Sequence, residues 1–307
     1  MARPRDRGFP ADPQPLPVAI ADNHTHLESI GRHLHGQGWK AADIPSLDQH
    51  IHRAAEVGVD RMVQVGCDVD TARWTVTAVQ EHSSLLGAIA IHPNEAPLHA
   101  RCQDRGPDGL DPHYEDRHNM PLDEAVALIA GMAAANPRIR AIGETGMDLF
   151  RTGPHGAVAQ EASFRAHIAL AKELGLALQI HDRDAHSQVI DILLKDQAPE
   201  KTVFHCFSGD VDMARLCADK GWYLSFAGPV TYRTNSALRL ALQEIPLDLM
   251  LAETDAPFLT PHPFRGQPNA PYALAHTVWA MASYRMQPID VICQAISDNS
   301  ERVYGPW

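Results

Sequence analysis

Short apolar runs alternate with longer amphipathic segments along most of this chain, and this alternation limits the possible folds more than any other feature. It is typical of βαβ units that build a parallel sheet. Eight strands with intervening helices over about 250 residues predict a TIM (β/α)8 barrel. A doubly wound open sheet is the alternative, but no G-x-G-x-x-G follows the first predicted strand. The predicted strands are 18–23, 61–66, 86–91, 139–143, 176–180, 202–204, 222–226 and 247–252.

The remaining segments predict a simple domain organisation. Residues 1–17 are rich in Pro and Arg without an apolar stretch, which indicates a flexible leader, and 18–307 then form one barrel domain. The polar stretch 93–121 reads as a long loop inserted after the third strand, where it would overhang the site and alter substrate choice. Residues 256–271 hold five prolines and predict a second irregular loop.

The overall charge and the cysteines exclude several classes of protein. The net charge is −12, which argues against capture of nucleic acid by a broad basic surface. A nucleic-acid substrate stays open, because bound divalent cations can supply positive charge locally. The five cysteines are scattered without a C-x-x-C pair, which favours reduced thiols in the cytoplasm over a disulfide framework or a thiolate zinc site. No apolar run reaches the ~18 residues of a transmembrane helix, so we expect no membrane association.

Metal-ligating residue types follow five of the predicted strands. In a barrel, the carboxyl ends of the strands build the active site. Imidazole and carboxylate groups that converge there suit a divalent cation. Two residues apart on a strand, His24 and His26 point to the same face and can bind one ion together. The candidate ligands are His24, His26, Glu144, His181, His205 and Asp255.

Most other histidines are expected to be solvated or hydrogen-bonded side chains and not ligands. The pair His33-x-His35 lies among glycines and predicts a loop, and His50-x-His52 falls on a predicted helix where the two residues face different directions. Glu253 is interpreted as a structural carboxylate and Cys206 as a small buried side chain. The histidines expected at the surface are His82, His99, His113, His118, His155, His167, His262 and His276.

At these same positions the sequence resembles the TatD-type deoxyribonucleases. Six motifs carry the resemblance, and they occur in order from Asp22 to about Tyr304. They are Asp22-x-His24-x-His26-Leu27, Gly143-Glu144-x-Gly146-x-Asp148, His181-x-Arg183-Asp184-Ala185, His205-Cys206-Phe207-Ser208-Gly209, Glu253-Thr254-Asp255-x-Pro257 and Arg265-Gly266-x-x-Asn269-x-Pro271.

The resemblance implies a barrel of the amidohydrolase superfamily that binds two divalent ions and hydrolyses phosphodiesters of nucleic acid. By this likeness His24, His26 and Asp255 hold one ion, and Glu144 bridges to a second ion on His181 and His205. Asp255 would also accept the proton of the attacking water, which makes Asp255 and Glu144 the expected catalytic residues. Members of the family often act on single strands from a 3′ end. The ion stays open between Mg, Mn and Zn.

The expected substrate is DNA, with RNA or tRNA as further options, and several residues are candidates to contact it. His92 belongs to a segment that reads His92-Pro93-Asn94 where the family usually has His-Pro-His, which puts the substrate contacts in question more than the metals. Arg151, Arg183 and Arg265 are candidates for phosphate contacts.

Two other functions remain open at this point. One is a metal-dependent hydrolase of esters or amides, such as a D-aminoacyl-tRNA deacylase, which the acidic charge and the altered His92-Pro93-Asn94 segment favour. The other is a metal-binding protein without catalysis, which is disfavoured because no expected ligand is missing.

Overall fold

The computed structural model describes residues 8–307, and these form eight strands and eleven α-helices. The strands are β1 (Ile20–Thr25), β2 (Val59–Gly66), β3 (Leu85–Ile89), β4 (Ile139–Asp148), β5 (Ala177–Arg183), β6 (Thr202–Phe204), β7 (Tyr223–Phe226) and β8 (Met250–Ala252). The helices are α1 (Leu27–Gly36), α2 (Leu47–Glu56), α3 (Val69–Glu81), α4 (Ala96–His99), α5 (Leu122–Ala135), α6 (Pro154–Leu174), α7 (His186–Asp196), α8 (Val211–Asp219), α9 (Ser236–Glu244), α10 (Leu274–Arg285) and α11 (Ile289–Tyr304). None of these helices is long and apolar enough to cross a membrane.

The strands follow one another in the sheet in the order β1 to β8, and the pairs β1–β2, β3–β4, β4–β5, β5–β6 and β7–β8 are parallel. Every strand is followed by at least one helix. Most strand residues are buried, as expected for a parallel sheet covered on both faces. This is the topology of a (β/α)8 barrel, so the predicted fold class is confirmed.

Contacts between residues divide the chain into two compact units. The first consists of the described residues up to Gln64, of 209–220 and of 224–307, and the second of 65–208 and 221–223. The expectation that 18–307 form one domain therefore stays a prediction.

In the first unit, β1 and β8 meet at their carboxyl ends. The backbone N–H of Asp255 donates to the carbonyl of His24 over 3.0 Å, and the N–H of His26 donates to the carbonyl of Ala256 over 2.8 Å. These two bonds fix the segment after β8 against the last residues of β1. Residues that follow the two strands are therefore held next to each other.

The described part of the predicted leader, residues 8–17, belongs to the first unit and is hydrogen-bonded to it. Three side chains from the C-terminal part of the chain donate to its carbonyls: Tyr272 Oη to Pro10 over 2.5 Å, His276 Nε2 to Ala11 over 2.9 Å and Trp279 Nε1 to Gln14 over 2.9 Å. In a flexible leader these carbonyl oxygens would accept hydrogen bonds from water, whereas here they accept them from side chains of the protein. Residues 1–7 of the predicted leader lie outside the described residues.

Helix α1 was not predicted, and the expectation that His33 and His35 lie in a loop is wrong. Both residues lie in the last turn of α1. The helix forms because Leu27, Ile30 and Leu34, at positions i, i+3 and i+7, are buried on one face. The neighbouring glycines hid this pattern in the sequence.

In the second unit, His167 lies on α6 and is fully buried, so its expected surface position is wrong. The backbone N–H of Ile91 donates to its Nε2 over 3.2 Å, and its Nδ1 donates to the carbonyl of Ser163 over 2.8 Å. Both ring nitrogens have hydrogen-bond partners in the protein, so the ring can be buried without leaving a polar atom unsatisfied. Burial lowers the pKa of His167 to about 4. The neutral ring therefore joins α6 to the segment after β3.

The inserted segment 93–121 is more ordered than the predicted loop. It contains α4 and a 3-10 turn over Asp116–Asn119. His99 and His118 are only 3% and 1% exposed, so their expected surface positions are also wrong. Their partners lie within the segment: His99 Nδ1 donates to the carbonyl of Met120 over 2.8 Å, and His118 Nε2 donates to Glu95 Oε2 over 2.8 Å.

Candidate metal centre

The first unit brings together three of the predicted ligands, His24, His26 and Asp255. His26 Nε2 lies 3.2 Å from His24 Nε2 and 3.2 Å from Asp255 Oδ1, and His24 Nε2 lies 4.0 Å from the same oxygen. Atoms that each bind one ion at ~2.1 Å lie roughly 3–4 Å apart. The three groups therefore fit the shell of a single divalent cation. His24 and His26 are buried, and the Asp255 side chain keeps 13% of its exposure.

Asp22 fixes the backbone beneath this group. Its carboxylate accepts the backbone N–H groups of His24, over 3.3 Å, and of Thr254, over 2.9 Å, and the Thr254 hydroxyl over 2.5 Å. Complete burial raises the pKa of Asp22 to about 8, against the lowering effect of these hydrogen bonds. Glu253, expected to be structural, is fully buried and accepts the amide of Asn23 over 3.4 Å.

Asp255 itself has a left-handed backbone conformation, with φ +53°. Asp is one of the residues that tolerate this region. Its N–H donates to His24, and its carbonyl accepts the N–H of Phe258 over 2.8 Å. The conformation is therefore held by main-chain bonds, and the carboxylate is left to face His26.

The second unit brings together Glu144, His181 and His205. Glu144 Oε2 lies 2.9 Å from His181 Nδ1 and 2.8 Å from His205 Nε2, and the two nitrogens lie 3.4 Å apart. These distances again fit three ligands of one cation. Glu144 and His205 are buried, and His181 is partly exposed.

Asp148, at the end of β4, orients His181. His181 Nε2 donates to Asp148 Oδ2 over 3.1 Å, and the amide of Asn94 donates to the same oxygen over 3.2 Å. A metal-binding His usually gives its second ring N–H to a carboxylate in this way, which leaves the other nitrogen as a lone pair for the ion. Asp148 was part of a motif but received no role from the sequence.

Gly146 allows β4 to approach β5 beside His181. Its φ is +139°, and a Cβ atom there would lie 2.1 Å from the carbonyl oxygen of His181. Any other residue would displace His181 or strain the backbone.

His92 faces the second group as a hydrogen-bond donor. Its Nε2 lies 3.3 Å from His181 Nδ1 and 3.6 Å from Glu144 Oε2. The backbone N–H of Asn94 donates to its Nδ1 over 2.9 Å, which places the proton of the neutral ring on Nε2. His92 therefore presents an N–H, where a ligand would need a lone pair.

Glu144 is ionised despite its burial. Burial opposes ionisation, but the neighbouring rings of His205, His92 and His181 hold the pKa of Glu144 well below its usual range. Its second oxygen, Oε1, accepts the thiol of Cys67 over 3.2 Å. Cys67 follows β2, and no pattern in the sequence pointed to it.

The three candidate phosphate-binding arginines each contact another side chain. Arg151 pairs with Asp108 over 3.2 Å, the Arg183 guanidinium lies 4.1 Å from the ring centre of Phe150, and that of Arg265 lies 4.6 Å from the ring centre of Tyr232. Arg151, Arg183 and Arg265 are exposed. Their role in phosphate binding stays a prediction.

A third cluster, Glu95, His99 and His118, also has the composition of a metal site. The backbone N–H of Glu115 donates to His118 Nδ1 over 2.8 Å, so the proton of His118 is on Nε2 and points at Glu95. Glu95 is paired with Arg117 over 2.8 Å as well. A protonated nitrogen and a guanidinium both oppose a cation, and the cluster fits a structural role.

Comparison with known proteins gives a match over nearly the whole chain. The family model described as "TatD related DNase" matches residues 21–305. The chain is 36% identical over 293 residues to the "uncharacterized metal-dependent hydrolase TatD" of Mycobacterium tuberculosis, which covers 93% of this chain and 98% of the relative. It is 30% identical over 263 residues to the "3′-5′ ssDNA/RNA exonuclease TatD" of Yersinia pseudotuberculosis, which covers 83% and 92%.

The fold has a match among solved structures. The crystal structure of YJJV, a TatD homologue from Escherichia coli K12, superposes with a TM-score of 0.76 at 23% identity, over 93% of this chain and 97% of that one. At this identity the likeness supports the fold, in agreement with the strand order.

Proposed function

The chain belongs to the TatD related DNase family, and we propose that it is a nuclease that hydrolyses phosphodiester bonds of DNA with two divalent metal ions. The observation that carries the proposal is the geometry at Glu144, whose ionised Oε2 lies within 2.9 Å of ring nitrogens of both His181 and His205. An ionised carboxylate and two imidazoles at one point form the donor set of a hydrolytic metal site.

We propose His24, His26 and Asp255 as ligands of one ion, and His181 and His205 as ligands of the other, with Glu144 bridging. The bridging role is supported by family membership and by the motif around Glu144. Bound divalent cations would lower the pKa of a water molecule and neutralise charge on the phosphate. The histidine-rich donor set favours Zn or Mn over Mg.

The side chains of the chain supply the remaining chemistry in this proposal. Asp255 keeps a partly exposed carboxylate next to His26, where it accepts the proton of the attacking water. His92 points an N–H toward the group around Glu144, where it donates to a phosphoryl oxygen as negative charge develops. The main chain of Asp255 and the ring of His92 are held by backbone hydrogen bonds, so little reorganisation of the loops is needed during the reaction.

The finer assignment follows the Yersinia relative: we propose cleavage of single-stranded DNA or RNA from the 3′ end. A cytoplasmic location is proposed from the scattered cysteines. Hydrolysis of a D-aminoacyl-tRNA ester is the second candidate, and Asn94 favours it. This residue replaces a family His and turns its amide to Asp148, which changes the contacts available to a substrate.

An assay on metal-reconstituted protein tests the proposal. Single-stranded oligonucleotides labelled at the 5′ or the 3′ end are incubated with Mg, Mn, Co or Zn, in parallel with a D-aminoacyl-tRNA. We expect stepwise shortening of the 5′-labelled strand that Glu144→Gln abolishes. No cleavage with any of the four ions would refute the nuclease assignment, and faster hydrolysis of the aminoacyl ester would replace it with the second candidate.

A further inference from the structure

Phe258 is an exposed aromatic side chain beside a candidate metal ligand. It retains 48% of its exposure, and among residues 8–307 it is the one Phe, Tyr or Trp that is exposed. Its ring centre lies 6.4 Å from that of His26, and 5.7 Å from that of His33 on α1. An exposed ring beside a candidate ligand keeps apolar surface that a bound group can cover, and its face is available for stacking.

The backbone around Phe258 is held on both sides. Its N–H donates to the carbonyl of Asp255 over 2.8 Å. Asn269 Nδ2 donates to the carbonyl of Phe258 over 2.5 Å and to that of Thr254 over 3.0 Å. The loop that carries the ring is therefore fixed to the same residues that carry the Asp255 carboxylate. Because the loop is already ordered, a ligand that binds to the ring does not have to order it.

From this placement we infer that Phe258 forms a nucleobase-stacking subsite, in which the base next to the scissile phosphate lies against the exposed ring. The inference rests on the proposed function. A base is joined to its phosphate through one sugar. If the ion held by His26 binds the scissile phosphate, the ring of Phe258 is therefore within reach of the neighbouring base. Stacking on an aromatic ring accepts any base, so this subsite would impose no sequence preference. His33 supports the ring edge as a neutral side chain, because burial lowers its pKa.

The test compares Phe258→Ala and Phe258→Trp with a matched control, Leu240→Ala, which truncates another exposed apolar side chain of the first unit. Substrates are single-stranded oligonucleotides with an ordinary or an abasic nucleotide on either side of the cleaved bond. We expect Phe258→Ala to lower kcat/KM about tenfold on ordinary DNA, the lower range of base stacking. The abasic substitution should lower kcat/KM of the wild-type protein similarly and add nothing in Phe258→Ala. Phe258→Trp and Leu240→Ala should stay near wild type.

Additive losses, or an unchanged Phe258→Ala, would overturn the subsite while leaving the nuclease intact. Failure of the wild-type protein to cleave any oligonucleotide would instead count against the proposed function. In that case binding is read directly, from quenching of 2-aminopurine at the terminal position of an oligonucleotide. Quenching that Phe258→Ala removes supports the subsite, and absence of quenching in the wild type refutes it.

Discussion

Replacing Asp255 by Asn distinguishes the proposed role of Asp255 as proton acceptor from a role as metal ligand alone. The substitution keeps the size of the side chain and one oxygen that can reach a cation, but the amide cannot take a proton at neutral pH. The backbone conformation should survive, since Asn also tolerates a φ near +53° and both main-chain bonds of residue 255 are independent of its side chain. We therefore expect a folded protein.

The expected loss can be worked out from the contacts of Asp255. Its Oδ1 lies 3.2 Å from His26 and 4.0 Å from His24, so the variant should weaken one of the three proposed ligands of this ion. That part of the loss should be recovered at higher metal concentration. A positioned general base contributes typically 10²–10⁴-fold, so kcat at saturating metal should fall about 10³-fold, or ~4 kcal/mol.

The assay is cleavage of a labelled oligonucleotide at increasing Mn, with Asp196→Asn as the control. Asp196 is also a partly buried carboxylate, but it lies at the end of α7 and pairs with Arg165, which has no proposed role in the site. We expect the control to keep wild-type kcat. If saturating Mn restores kcat of Asp255→Asn to within threefold of wild type, Asp255 is only a ligand and the proton-acceptor role is refuted.

Three further predictions concern other parts of the molecule. His92→Gln should lower kcat about 10²-fold while the bound metal, measured by atomic emission, stays constant, because the Nε2 proton precludes ligation; loss of metal would contradict this. Glu95→Gln should lower the free energy of unfolding in urea by about 3 kcal/mol, because Arg117 and His118 both lose a charged and mostly buried partner, whereas the exposed Glu161→Gln should cost under about 1 kcal/mol. Equal losses would show that the first contact is no stronger than a surface pair. The pKa of His167 is about 4 in the folded protein and 6.5 in the unfolded chain, so the unfolded state binds more protons between these two pH values. The free energy of unfolding should therefore fall by roughly 3 kcal/mol as the pH drops from 6.5 to about 4. His167→Gln should flatten this dependence and the exposed His155→Gln should not; a parallel profile in the two variants would refute it.

The candidate ligands stand out in the sequence because they combine two signals that the sequence shows directly. One is the end of an apolar run, which marks the carboxyl end of a strand, and the other is a residue type that binds metal. His205 illustrates this: it directly follows β6, whose bounds were predicted to the residue. The fold class followed from the same periodicity, since a parallel sheet of eight such strands has few arrangements.

The partners of the ligands could not be predicted in this way. Asp148, Cys67 and Asp22 have roles that depend on which strand lies beside which and on where a side chain turns, and no spacing along the chain shows that. The surface positions predicted for the buried histidines were wrong for a related reason. His99 and His118 belong to the polar stretch 93–121, which was predicted to be a loop, so water was the expected partner of both rings. In the fold, a carbonyl and a carboxylate from the same segment take the place of water.

His92 shows how such a partner changes the meaning of a predicted residue. From sequence alone its neighbour Asn94 is a departure that weakens the expected substrate contact. In the structure the backbone N–H of Asn94 sets the ring tautomer of His92, and the side chain of Asn94 contacts the carboxylate that orients His181. One residue therefore determines the proton of a donor and supports the orientation of a ligand. His92 therefore keeps its role as a donor although position 94 departs from the family pattern. The side chain at position 94 is what differs, so a change of substrate should be sought there.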